Sequence, residues 1–486
     1  MPPGSLDSTI RARTSVRAPR GNALSCKGWQ QEAALRMLMN TLDPEVAERP
    51  EELIACGATG KPAHDWPSYL AIAESLKALE NDQTLFVQSG KPNGIIRTHA
   101  DAPRVLIDSD STAANWMYIG TQGALEETYE TFRAAAQQDF GGKLAGRLVV
   151  SAGMGSLGGA QPLAAQLNGA AFLGIDADPA RIKRRVKSGY CDVMVSSLDE
   201  ALRILKNAVR QRAARSVGLV GNAADVITEL AERGVVPDLL TDRTAARDPL
   251  NGYWPQGLSL AAAAEMQRSD PADARRRSLD SIAAQVRAML TLRKLGAVVF
   301  DFGNDLFVRA REAGVTDAAS IPVFTDTYLA PALGEGRAPL RWIALSGEPA
   351  DIERIDRLIL ELLPNDEPLG RYVAQAQKHL RSQGLPARAC WFPRADRARF
   401  ALAVNDLVSR GELHAPVVLG RDFQDCGGAA AGASGQSNAG VDSPIVKAAL
   451  DAAGGASWAS IEGRGLVIVA DGSPEIGERI ERVMAK

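Results

Sequence analysis

The stretch Gly153-Met-Gly-Ser-Leu-Gly-Gly-Ala-Gln-Pro constrains this chain most, because it stands between an apolar run, Arg147-Leu-Val-Val-Ser-Ala, and a helix-like Leu163-Ala-Ala-Gln-Leu. The order is strand, glycine turn, helix. Gly153, Gly155 and Gly158 satisfy G-x-G-x-x-G, with Ser156 and Leu157 inside the turn. A second apolar run, Ala170-Ala-Phe-Leu-Gly-Ile, ends in Asp176, at the distance where an acid meets the ribose of a dinucleotide. Glycines let the backbone turn tightly and approach a pyrophosphate, whose charge is held by amides at a helix N-terminus. The glycine pattern alone fits a bare turn in any α/β protein. Strand, helix and acid together predict a parallel α/β unit with a dinucleotide site.

At 486 residues the chain holds two to four domains, and 45% hydrophobic against 23% charged residues is ordinary soluble composition. Lys plus Arg 55 against Asp plus Glu 58 gives a charge of -3, too small a field to attract nucleic acid. No apolar run approaches the roughly 18 residues of a membrane span. Cys26, Cys56, Cys191, Cys390 and Cys426 form an odd set without C-x-x-C, which predicts a reduced, cytoplasmic protein. Four unpaired histidines (His64, His99, His379, His414) predict no metal site. Residues 1–20 carry Arg11, Arg13, Arg17 and Arg20 and no apolar core, so a disordered or partner-embracing arm is expected rather than a secretion signal.

Three parts follow the arm. Over residues 21–119, helices are expected near Trp29 to Leu42 and Tyr69 to Leu79, with strands at Thr84-Leu-Phe-Val-Gln and Arg104-Val-Leu-Ile. This part reads as an α/β unit of its own. Its loop Cys56-Gly-Ala-Thr-Gly-Lys61 either touches phosphate or turns the chain. Over residues 120–330, strands at Ser216-Val-Gly-Leu-Val, Val236-Pro-Asp-Leu-Leu and Ala297-Val-Val-Phe end in polar residues. Asn222, Asp242, Asp301 and Asn304 then either gather around one cofactor or cap helices. Residues 331–486 open with Leu340-Arg-Trp-Ile-Ala-Leu and contain Ala415-Pro-Val-Val-Leu and Leu466-Val-Ile-Val-Ala. The Gly/Ala/Ser-rich tract beginning at Gly427 between those last strands is expected to be a mobile loop.

From about Pro19 to Lys486 the chain resembles urocanase (urocanate hydratase). The match rests on Leu24-Ser-Cys-Lys-Gly-Trp-Gln-Gln-Glu, Val87-Gln-Ser-Gly-Lys-Pro, Tyr118-Ile-Gly-Thr-Gln-Gly, Asp248-Pro-Leu-Asn-Gly-Tyr and Gln383-Gly-Leu-Pro-Ala-Arg-Ala-Cys-Trp, in order. The resemblance implies an α/β fold with a Rossmann-like NAD-binding domain between N- and C-terminal parts that form a core domain. It also implies a homodimer, a small imidazole-bearing acrylate as substrate, and NAD+ used as an electrophile and returned unchanged while water is added. Carried over by position, the implied NAD contacts are Gly57, Ala58, Gly153, Gly155, Ser156, Leu157, Gly158, Asp176, Arg181, Asn222, Ala223, Arg243, Thr244, Arg247, Tyr253, Trp254 and Phe302. Arg341 matches the arginine that holds the substrate carboxylate, a task suited to a planar fork. With Cys390, Asp422 and His99 it makes up the candidate catalytic set.

Departures from the family concentrate around the chemistry. A family tyrosine is Cys56, the next loop glycine is Ala58, a Gln and a His are Arg243 and Arg247, a tyrosine is Phe302, and the His after Asp422 is Phe423. About twenty residues are missing after Ile107. A site that loses polar groups leaves others unpaired unless its ligand changes too. The expected substrate is therefore urocanate or, in preference, a thio-, S-methylthio- or N-methyl-urocanate, with a non-catalytic NAD-binding protein and an NAD-linked dehydrogenase as alternatives. Asp176 favours NAD over NADP because it repels a 2′-phosphate, although Arg181, Lys183, Arg184 and Arg185 lie close in sequence.

Overall fold

Fourteen strands form among the described residues, which in this computed structural model are 15–109, 111, 113–421, 444–461 and 465–484. They are β1 (Gln83–Gln88), β2 (Lys91–Arg97), β3 (Val105–Asp108), β4 (Leu148–Ala152), β5 (Ala171–Asp176), β6 (Val193–Val195), β7 (Arg215–Val220), β8 (Leu239–Asp242), β9 (Val298–Val299), β10 (Arg337–Ala344), β11 (Ala387–Pro393), β12 (Val417–Arg421), β13 (Trp458–Ser460) and β14 (Leu466–Ala470). The chain divides into two units, Met1–Gly123 with Ala332–Lys486, and Ala124–Pro331.

In the second unit six parallel strands lie in the order β6-β7-β5-β4-β8-β9. Helices connect them because a parallel crossover needs a dozen or more residues. Leu198–Gln211 shows how such a helix is written. Leu198, Ala201, Leu202, Leu205 and Ala208 recur at helical spacing and are buried, Asp199 and Glu200 sit at the positive N-terminus, and Arg212 ends the helix in the left-handed region. Burying leucines like these removes roughly 1.5–3 kcal/mol each of exposed apolar surface. The core joins Val150, Leu173, Ile175, Val217, Leu219, Ile227, Leu240, Ile282 and Met289.

The first unit is built on an eight-stranded mixed sheet, β11-β10-β12-β14-β13-β3-β1-β2. The N-terminal strands are therefore not the separate unit that their local pattern suggested, but share one core domain with the C-terminal part, as the resemblance implied. β3 pairs in parallel with β13, Val105 opposite Trp458, and this joins the two ends of the chain into one core with Leu85, Trp116, Ile343, Val418 and Val467. Such a pairing leaves no trace in local periodicity. The N-terminal segment joins this unit too. Arg17 pairs with Asp43 at 3.2 Å, Arg20 donates to the Gly384 carbonyl at 3.1 Å, and fully buried Arg36 donates to the carbonyls of Gly21 and Leu345 at 2.7 and 2.9 Å. Residues 15–20 of the expected arm are thus laid on the fold. No helix among the described residues is long and apolar enough to cross a membrane.

Candidate functional site

In the second unit the strand order grows one way from β4 through β5 to β7 and the other way through β8 to β9, so the carboxyl ends of β4 and β8 mark the reversal where open α/β sheets bind ligands. The glycine turn lies there. Gly153 leaves β4 at φ +87°, and a Cβ on it would lie 2.4 Å from the Arg243 carbonyl oxygen. A Cβ on Gly158 would lie 2.1 Å from the Gly153 oxygen. Both obstacles are backbone and cannot swing aside, so only glycine fits. Fully buried Gln161 braces the turn from within, its amide donating to the carbonyls of Gly153 and Gly158 at 3.3 and 3.1 Å. Ser156 is buried and Leu157 exposed.

Asp176 ends β5 beside this turn, as its spacing implied. Its first task is structural: one carboxylate oxygen accepts the Met154 amide at 2.7 Å and the other the Asp178 amide at 2.9 Å. Burial pushes its pKa up, and Arg181, 3.8 Å away, opposes that shift. Asn222, at the end of β7, caps the helix that begins at Ala223, accepting from the Ala224 amide at 2.9 Å, while its own amide donates to the Trp254 carbonyl at 2.8 Å. Arg247 stands on the exposed rim, donating to Asp305 at 3.0 Å.

Three of the polar strand ends make contacts within the unit, the second of the two uses that the sequence left open for them. Asp242 is fully buried and accepts from the Thr244 amide and hydroxyl at 2.9 and 2.6 Å, from Asn304 at 2.6 Å and from Gln285 at 2.7 Å. Burial raises its pKa against these four donors. Gln285 in turn accepts the Tyr253 hydroxyl at 2.5 Å, so that phenol serves the interior. Asp301 accepts the Gly303 amide at 2.8 Å.

Arg243 follows β8 and is the charged centre of the reversal point. One nitrogen donates to Glu127 at 2.6 Å, and the guanidinium lies 3.9 Å over the ring of Phe302 and 5.9 Å from that of Phe324. Its side chain is 7% exposed, and Nε has no hydrogen-bond partner among the described residues. Phe302 belongs to an aromatic cluster with Phe132, Phe300 and Phe324. Two departures from the family pattern, Arg243 and Phe302, are therefore one contact. Glu127 completes it and escaped the sequence reading, since nothing local distinguishes it from the neighbouring Glu126 and Glu130.

In the first unit β1, β3, β13, β12 and β11 run the same way, so their carboxyl ends share one end of the sheet. The Cys56–Gly60 turn, with Gly57 at φ +61° and the Ala58 carbonyl accepting from Arg49 at 3.1 Å, is tied to that end. The amide of Lys61 donates to the Ser111 hydroxyl at 2.7 Å, just beyond β3. Cys56 packs with Tyr118, and the adjacent Met117 carbonyl accepts from Arg341 at 3.3 Å. The structure thus brings Gly57, Ala58 and Arg341 to one region.

Two other members of the catalytic set lie elsewhere. Cys390 is opposite Leu340 in the ladder and Arg341 opposite Ala389, so by strand alternation Cys390 and Arg341 point to opposite faces. Cys390 is fully buried, in the layer that holds the Arg388–Asp356 ion pair (2.6 Å) and Phe392 against Phe400. His99 follows β2 at the opposite edge, six strand spacings or roughly 29 Å along the sheet from β10, where it is exposed. Period-two alternation separates neighbours that a sequence motif presents as one cluster. Asp422, Phe423 and the tract from Gly427 lie outside the described residues.

Fold and site together define a two-unit α/β protein whose second unit is a doubly wound, Rossmann-like domain with its glycine turn at the reversal point. Three family models match in succession: the urocanase N-terminal domain over residues 16–149, the urocanase Rossmann-like domain over 120–328, and the urocanase C-terminal domain over 331–486. The chain belongs to the urocanase family. That membership supports a urocanate hydratase type of function, a lyase acting on a small imidazole substrate.

Proposed function

We propose that this protein is an NAD+-dependent hydratase of a ring-modified urocanate. The observation that carries the cofactor assignment is the glycine turn: two positions without room for a Cβ, at the reversal point of a parallel sheet, in a chain that matches all three urocanase domains. The residues present fit a dinucleotide. Gly153 to Gly158 offer backbone amides to a pyrophosphate, Asp176 keeps unused lone pairs for a ribose hydroxyl, and the buried Nε of Arg243 is a charged donor in need of an acceptor. NAD+ supplies an electrophilic ring to the reaction. Arg341 holds the substrate carboxylate in its fork. The substrate is modified because Arg243, Phe302 and Cys56 remove neutral polar groups that would recognise the unsubstituted compound.

Two measurements on the purified protein test this reading. The small molecule released on denaturation is expected to be NAD; NADP or nothing refutes the cofactor assignment. Incubation with urocanate and its thio, S-methylthio and N-methyl analogues is expected to bleach the conjugated ultraviolet band of a modified substrate without NADH formation. Arg341→Lys is expected to lower kcat/KM at unchanged NAD content. NADH accumulation establishes a dehydrogenase, and inertness toward the whole panel with NAD bound establishes a non-catalytic NAD-binding protein.

A further inference from the structure

Two indoles on neighbouring strands of the eight-stranded sheet, Trp342 on β10 and Trp391 on β11, are buried with an Nε1–H that has no hydrogen-bond partner among the described residues. A buried donor without an acceptor is destabilising, and most such groups in folded proteins are satisfied. The two orphans stand on different faces. Trp342 follows Arg341 in β10 and so points to the face away from it, where its ring centroid lies 5.1 Å from that of Phe400 and both rings are fully buried.

Trp391 shares the face of Arg341. It lies opposite Pro339, and Arg341 lies opposite Ala389, so the indole and the guanidinium are diagonal neighbours across the ladder. Such neighbours stand about 7–8 Å apart, within reach of an aromatic and a long side chain. Neither Pro339 nor Ala389 carries a side-chain acceptor. β11 runs from Ala387 to Pro393, which puts Trp391 on the side of Arg341 nearer the carboxyl end of the sheet, the end to which the Cys56–Gly60 turn is tied. Its backbone is held in place at the sheet edge: Arg337, paired with Asp366 at 2.7 Å, donates to the Trp391 carbonyl at 2.9 Å.

We infer that the Trp391 indole N–H is a second donor to the substrate carboxylate, beside the fork of Arg341. This rests on the assignment of Arg341 to that carboxylate under the proposed function. An ionised carboxylate offers about four lone-pair positions and a bidentate fork occupies two, so a further donor finds an acceptor there. An indole only donates. It cannot pair with an N–H of the substrate ring, and the acceptor that the proposed substrate brings to this face is the group Arg341 fixes on it. Trp391 thereby makes the site select acids over neutral compounds with the same ring, and binding relieves a donor that folding leaves unsatisfied.

The test uses the full chain as purified and saturated, unreactive probes: the propionates of imidazole and of its thio, S-methylthio and N-methyl forms, and the matching ethylimidazoles, which lack the carboxylate. With the indoles of the seven tryptophans isotope-labelled, the Trp391 N–H resonance is assigned by its loss in Trp391→Phe or Trp391→Tyr. It is expected to move downfield when the tightest-binding propionate is added and to stay in place with the ethylimidazole, while the Trp342 resonance on the other face moves with neither. Trp391→Phe is expected to weaken the propionate about tenfold and the ethylimidazole less than about twofold, whereas lost packing weakens both alike. A Trp391 resonance unmoved by a propionate that Arg341→Lys weakens, or equal losses for the two probes in Trp391→Phe, overturns the inference and leaves the Arg341 assignment standing. A propionate that binds Arg341→Lys as well as wild type, or a panel that does not bind, overturns that assignment and the inference with it.

Discussion

Removing the guanidinium of Arg243 is the perturbation whose cost the structure best defines. Arg243→Ala deletes a stack on Phe302, worth about 1–2 kcal/mol for a largely desolvated cation. It also strands Glu127, whose carboxylate is 17% exposed. An unpaired acid costs about 3–5 kcal/mol when fully buried, and partial access to water reduces this to about 2–3 kcal/mol. The total is about 3–5 kcal/mol, a drop of roughly 10 °C in melting for a unit of about two hundred residues. A double-mutant cycle isolates the pair. Arg243→Met and Glu127→Gln are each expected to destabilise, and the double variant to recover part of the loss, with a coupling of about 2 kcal/mol in urea unfolding. A coupling below about 0.5 kcal/mol refutes the argument that the two charges hold each other. Measuring bound NAD in the same proteins separates the two roles of Arg243: a loss of NAD in Arg243→Met that exceeds the loss in Glu127→Gln identifies the arginine as the cofactor contact.

Cys390 is fully buried on the face away from Arg341, so Cys390→Ser is expected to cost roughly 1–3 kcal/mol of stability by burying a hydroxyl, and to leave kcat/KM within about twofold. Rapid alkylation of Cys390 in the native protein contradicts that placement. The Asp351 carboxylate, 2.6 Å from the His414 ring, raises the His414 pKa above its ordinary value. The folded pKa being the higher one, the stabilisation from this pair is complete below the unfolded value near about 6.5 and is lost as pH rises through the folded pKa. In nuclear magnetic resonance titrations the His414 midpoint is expected to fall in Asp351→Asn, and melting temperatures of wild type and His414→Gln are expected to converge on the alkaline side. An unchanged His414 midpoint in Asp351→Asn refutes the pairing.

Sequence alone determined what chain-local physics controls. The turn at Gly153 to Gly158 was legible because backbone sterics admit only glycine at Gly153 and Gly158, and β4, β5, β7 and β8 were legible because apolar runs bounded by small and polar residues have few other uses. Asp176 was legible by its spacing in the βαβ unit. The family, and with it Arg341, followed from long motifs held in order. Tertiary structure decided what depends on contacts between distant segments. The resemblance implied that the N- and C-terminal parts form one core, but only the structure showed that they do so through one sheet by pairing β3 with β13, and only the ladder register placed Cys390 and Arg341 on opposite faces. The polar groups of Asp242, Asn304 and Tyr253 looked available in sequence, and folding satisfied them with one another, because a buried donor or acceptor must find a partner inside. Arg243 shows the division most plainly: its charge is written in the sequence, but Glu127 and Phe302, the two groups that make that charge tolerable in a nearly closed site, are chosen by the fold.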